Sequence, residues 1–235
     1  MTRMSVEPIR LGRRLAALLQ CSRREAELYI EDGLVSVDGV CIDSPQHRVT
    51  DERVELAPGA KLEHSPPVTL LLHKPLGVDI DSAGALLRAD HHASDDIAPF
   101  PLLGRHFKRQ LALMPLAAQA EGLSVFTQVP GIARKLRDEA HTLEQEYIIG
   151  VSGDIDTALA QLEREPRETH ARCRVSRQNE THLRVALKGN TQTIVRLFEG
   201  LDIEPTSFRR IRIGALSMGR LPSGQWRYLK QSERF

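Results

Sequence analysis

Six arginines, Arg3, Arg10, Arg13, Arg14, Arg23 and Arg24, crowd the span from Met1 to Arg24 against the single carboxylate Glu7. Such a cluster suits phosphate recognition, because planar guanidinium groups stay charged and donate several hydrogen bonds to oxyanions. Taken alone, the same arginines equally suit the solvated face of a helix. Groups able to do covalent chemistry are sparser. Between Ile97 and Arg137 the only acidic residue is Glu121. Lys74 follows the apolar run from Val68 to His73 in the string Lys74-Pro75-Leu76-Gly77, which fits any strand-to-turn exit. Tyr147 sits in an apolar stretch where a lone strand tyrosine also serves as core. His91-His92 lie near Asp95-Asp96, but their adjacency gives no helix-face ligand geometry, so a polar loop and no metal site are expected. Cys21, Cys41 and Cys173 show no Cys-x-x-Cys spacing; three reduced, buried thiols are expected, without a zinc site or a disulfide framework.

The elements that must position these groups are partly legible. From Ile9 to Leu19, the residues Leu11, Leu15, Leu18 and Leu19 share one helical stripe, while Arg10, Arg13 and Arg14 fall on a flanking face. Ser22 followed by Glu25 is a capping box, which starts a second helix at Arg23; Gly33 stops it. Asp38-Gly39 between two apolar runs marks a tight hairpin. Ala57 to Pro67 has the Pro, Gly and polar content of a linker, which divides the chain into domains at 1–56 and 68–235. In the second domain, strands are expected at residues 68–73, 146–152, 171–176 and 182–187, with a helix capped by Asp154. A content of 41% apolar and 27% charged residues is ordinary for a globular chain, and the formal net charge of +1 does not advertise nucleic acid by itself. No apolar run approaches the roughly 20 residues that span a bilayer, and no apolar stretch follows the basic N-terminus. A cytoplasmic protein without a membrane partner is expected.

The run from Ile9 through SRREAELYIEDGLVSVDGVCI is similar, nearly residue for residue, to the alpha-L RNA-binding motif of a ribosomal small-subunit protein and tyrosyl-tRNA synthetase. The resemblance implies docking of the first helix and the Ser22 to Arg24 corner on structured RNA, with Arg10, Arg13, Arg14, Arg23 and Arg24 contacting phosphates that orient without specifying sequence.

Residues Met114 to Thr127, MPLAAQAEGLSVFT, together with Lys188 to Leu201, KGNTQTIVRLFEGL, and the closing SFRRIRIGALSMGRLPSGQWRYL, resemble the bacterial ribosomal-RNA pseudouridine synthases of the RsuA type, especially the branch that includes RluF. The resemblance covers residues 9–229 and implies an α+β fold: a small alpha-L domain, then a mixed, mainly antiparallel sheet with flanking helices. It also implies a cofactor-free isomerisation of uridine, in which an aspartate attacks the nucleoside, an arginine pairs with that carboxylate and a tyrosine stacks on the flipped base. Tyr147 matches the tyrosine, and Lys74, Pro75, Leu116, Gly122 and Arg196 match the cleft. Ala117 stands at the aspartate position and Val195 at that of its arginine partner, so no catalytic residue is assigned. Glu121 lies four residues on, a separation that one extra methylene does not bridge. A buried charge pair deleted as a unit leaves a stable protein, whereas an aspartate restored alone at 117 is expected to bury an unpaired charge at a cost of a few kcal/mol. The expected protein is a monomeric, catalytically degenerate RNA binder, its partner structured RNA of ribosomal type; the alternative is an active pseudouridine synthase.

Overall fold

The computed structural model describes residues 7–62, 66–97, 101–164, 173–188, 198 and 204–235. The chain forms two compact units, Met1–Pro66 with Phe100–Arg109, and Pro67–Pro99 with Gln110–Phe235. The segment 101–109, which the sequence boundaries place in the second domain, thus belongs to the first.

In the first unit, α1 (Leu11–Leu19) and α2 (Arg23–Glu31) precede a small sheet of β1 (Val35–Val37), β2 (Val40–Cys41) and β3 (Val54–Leu56), in order β2-β1-β3. Leu11, Leu15, Ala26, Ile30, Val35, Val37 and Val49 form its core; each fully buried Leu or Ile contributes about 1.5–3 kcal/mol. Leu18, expected on the same stripe, is 51% exposed. Glu25 N donates to Ser22 Oγ at 3.2 Å and Ser22 N donates to Glu25 Oε2 at 2.8 Å, closing the capping box. At the hairpin, Asp38 and Gly39 have φ of 49° and 81°, the two left-handed residues that a type I′ turn needs.

The segment 101–109 docks on the end of α2. A Cβ on Gly104 would lie 2.3 Å from the Glu31 carbonyl oxygen, so only glycine permits this approach. Arg105 Nη1 donates to Asp32 Oδ2 at 2.7 Å, Arg109 grips Glu31 with both Nη atoms at 2.5 and 2.7 Å, and Lys108 pairs with Asp43. Arg105 and Arg109 offset the two carboxylates, Asp32 and Glu31, at the negative end of the helix dipole, where anions are unfavourable. Burial raises the Asp32 carboxyl above its usual pKa, and burial beside Arg105 pushes His106 down to about 4.

The second unit is built on a sheet with nine strands among the described residues. Its path runs β8 (Cys173–Arg177), β9 (His182–Lys188), β7 (Glu144–Ser152), β10 (Glu204–Ile213), β6 (Ala120–Thr127), β4 (Thr69–Lys74), β12 (Trp226–Tyr228). The short strands β5 (Leu111–Leu113) and β11 (Leu216–Ser217) pair with β6 and β10. All these pairings are antiparallel except β6 with β10. Among the helices that cover the sheet, α3 (Pro130–Asp138) packs Ala133 and Leu136 against Leu71, Leu113, Leu123 and Val125. In α4 (Ile155–Arg164), Ile155 packs with Ile149, Leu183 and Val185. The expected α+β architecture is present.

The loop carrying His91 and His92 is short turns with a packing role. His92 stacks on Trp226 with ring centroids 4.4 Å apart, and its Nε2 lies 2.9 Å from Asp96 Oδ2. Cys173 is half-buried, and burial pushes its thiol up to about 11. Cys41, expected to be buried, is exposed, because β2 is the outer strand of its small sheet.

Candidate functional site

The loop between β5 and β6 carries position 117, and three other segments fix its course. Met114, where the RsuA-type pattern has glycine, has φ of 49°. The backbone bend that glycine would make easily is thus kept with a side chain present, a conformation costing about 1–2 kcal/mol. Arg210 secures it: Nη2 donates to the Met114 carbonyl at 2.8 Å, Nε to the Leu123 carbonyl at 2.8 Å and Nη1 to Gln145 Oε1 at 2.9 Å. This guanidinium is 1% exposed and joins β10, β6, β7 and the loop. The matching pattern drew attention to Ala117 and Tyr147 and passed over Arg210, whose signal in the sequence is only one arginine among several in SFRRIRIG.

The turn after β4 meets the same loop. Gly77 N donates to the Ala118 carbonyl at 2.8 Å, so the Lys74-Pro75-Leu76-Gly77 turn adjoins the loop that carries residue 117. Lys74 is buried and its Nζ curls back on its own turn, donating to the Val78 carbonyl at 2.6 Å and the Pro75 carbonyl at 3.1 Å. Burial lowers its pKa from the usual lysine value. Gly122 has φ of 113°, and a Cβ there would lie 2.2 Å from the Arg210 carbonyl oxygen, because β6 and β10 cross closely at Gly122↔Arg210.

Leu116 packs with Ala120 and Tyr147 in one core cluster, leaving Ala117 itself exposed. Tyr147 is 1% exposed and its hydroxyl donates to Gln145 Oε1 at 3.0 Å. A ring enclosed in this way presents no open face to a base, so stacking would first require it to be uncovered. Glu121 lies on the other side of the strand from Ala120 and is paired in register with Arg209 rather than Arg210. Val195 and Arg196 fall outside the described residues.

In the first unit, Arg10, Arg13, Arg23 and Arg24 are exposed and Arg14 is half-buried. Arg23 and Arg24 occupy the first turn of α2, beside Ser22, where the helix dipole disfavours cations and favours a bound anion. Arg23 is partly committed, with Nε 3.5 Å from Glu27 Oε1.

Residues 9–54 match the S4 domain model. Over 96% of its length this chain is 27% identical to an RNA pseudouridine synthase of Aquifex aeolicus, covering 94% of that relative. It is 29% identical to the chloroplastic ribosomal large subunit pseudouridine synthase SVR1 of Arabidopsis thaliana, named there as putative, over 97% of this chain and 60% of that one. It is 26% identical to the dual-specificity RNA pseudouridine synthase RluF of Salmonella typhi, over 91% and 73%. A pseudouridylate synthase crystal structure shares the fold, with a TM-score of 0.53 at 16% identity over 95% of this chain and 97% of that one. Residues 9–54 are thus an S4 domain, and the chain as a whole is similar to RNA pseudouridine synthases over nearly its full length.

Proposed function

We propose that this protein binds structured RNA, ribosomal RNA being the class that its relatives' names point to, and that it does not isomerise uridine. The observation that carries this reading is Ala117, exposed on the loop that Arg210 and Gly77 hold in place, where the family reaction needs a carboxylate. Covalent catalysis fails without its nucleophile, and a methyl group supplies none. Glu121 does not replace it, since strand alternation turns its side chain from the face shared by Ala120, Leu116 and Tyr147. In the sequence, Val195 stands in place of the partner arginine, so both members of the family's charge pair are missing. Binding falls to the S4 unit, where Arg10, Arg13, Arg14, Arg23 and Arg24 supply phosphate contacts.

The second reading, an active synthase, draws on the retained scaffold around residue 117. Incubation of the purified protein with ribosomal RNA separates the two. No pseudouridine above background is expected; stoichiometric product at one uridine, abolished by Glu121→Gln, would overturn the first reading and make Glu121 the nucleophile.

A further inference from the structure

The back of the sheet formed by β8, β9, β7 and β10 presents arginines to solvent. Strand alternation sends Tyr147, Ile149, Leu183 and Val185 into the core, so their neighbours in sequence face the other way. Register then arranges them in rows across the strands. In one row Arg184 and Arg209 flank Ile148, two strand spacings or about 10 Å apart. In the next, Arg174, Ala186, Glu146 and Arg212 follow one another.

Three features separate this face from an ordinary solvated surface. First, the arginine heads are held and still open: Arg174 Nη2 lies 2.8 Å from Glu144 Oε2 with its side chain 76% exposed, and Arg184 Nε lies 3.1 Å from Glu146 Oε1 at 47% exposed. Each uses one edge of its fork on a glutamate and keeps further N–H donors directed elsewhere. Second, Arg212 sits between the two glutamates, 2.6 Å from Glu144 and 2.7 Å from Glu146. Arg212 offsets one of the two negative charges, and with Arg174 and Arg184 the cations around these carboxylates outnumber them three to two. Third, positive charge protects an edge strand such as β8 against edge-to-edge association, but that accounts only for Arg174; Arg184 and Arg209 stand on interior strands.

We propose that this face is a second contact surface for RNA, with Arg174, Arg184 and Arg209 bound to backbone phosphates. The proposal rests on the RNA-binding reading above. A protein partner fits less well, since stable protein interfaces centre on apolar or aromatic anchors. The apolar side chain between the arginines, Ile148, is only 7% exposed. Phosphate contacts need cations alone, and Arg209 and the exposed Lys188 add to those on this face.

The test measures binding of the full chain to a fluorescein-labelled stem–loop RNA of ribosomal sequence across a salt series. Four proteins are compared: wild type, Arg13→Ala/Arg14→Ala, Arg174→Ala/Arg184→Ala/Arg209→Ala, and the same triple replacement by lysine, with circular dichroism confirming each fold. If the surface engages RNA, the triple alanine variant weakens binding at low salt by about tenfold or more, and its log–log salt slope is shallower by about 2. The triple lysine variant retains most of the wild-type slope. A wild-type slope in the triple alanine variant, with a shallower one in the Arg13/Arg14 variant, would overturn this surface and leave the S4 reading intact. Absence of RNA binding by wild type would overturn both. Binding of polyglutamate by wild type but not by the triple alanine variant, with an RNA salt slope unchanged between the two, would point to an acidic protein partner and overturn the RNA assignment.

Discussion

Ala117 is exposed, so Ala117→Asp should change the unfolding free energy by no more than about 0.5 kcal/mol, as for surface substitutions in general. Sequence reasoning leads instead to a buried, unpaired charge, because the family pattern gives the residue's place in the chain but not its accessibility. Denaturant unfolding decides between them, a loss of several kcal/mol being the result that would return residue 117 to the interior. Arg210 is the opposite case. Arg210→Leu takes this donor from the Met114 and Leu123 carbonyls and leaves Gln145 Oε1 with the Tyr147 hydroxyl alone, and a loss of about 3–5 kcal/mol is expected by the same measurement. A loss below about 1 kcal/mol would show that its hydrogen bonds do not hold the loop. Arg210 was not legible beforehand because its acceptors come from residues 114, 123 and 145, which adjoin it only after the sheet has formed. Gly122 was legible as a motif position, whereas the reason for it, a backbone crossing that a Cβ would enter, was not.

Elements whose signals are local came through from the sequence. The Ser22–Glu25 box starts α2 and Asp38-Gly39 turns the hairpin, since each needs only neighbours within a few residues. The docking of residues 101–109 on α2 did not, because its partners lie some 70 positions earlier, as in Arg105 with Asp32 at a separation of 73. Two consequences test that docking. Arg105→Ala leaves Asp32, whose side chain is 2% exposed, without its cation, and should destabilise by about 3–5 kcal/mol. His106 provides a pH signature. Its folded-state pKa, near 4, lies below the unfolded value of about 6.5, so the unfolded chain binds the extra proton between them and stability rises with pH across that window. This contribution is full above about pH 6.5 and lost as pH falls through about 4. Unfolding of wild type and His106→Gln at a series of pH values should show the variant with a flatter profile between those limits; parallel profiles would mean His106 is not held neutral.

For the whole molecule, a net charge of +1 conceals local clusters of opposite sign: six arginines against one carboxylate from Met1 to Arg24, then four carboxylates and no cation from Glu25 to Asp32. Near-neutral overall charge makes long-range attraction to RNA weak, so binding depends on local phosphate contacts and should weaken steeply with salt. Arg13→Ala/Arg14→Ala should flatten the log–log salt slope by about 1–2, and an unchanged slope would move the RNA site away from α1. The proposed reading assigns binding and isomerisation to different parts of the chain, since the S4 arginines occupy one compact unit and residue 117 the other. The most direct test of that separation is to crosslink the protein to RNA in cells and map pseudouridine at the same sites, with and without the gene. Crosslinks on structured RNA that disappear in the Arg13/Arg14 variant, with an identical pseudouridine map in both strains, are the expected result. A uridine inside a crosslinked site that is pseudouridine only when the protein is present would contradict the account.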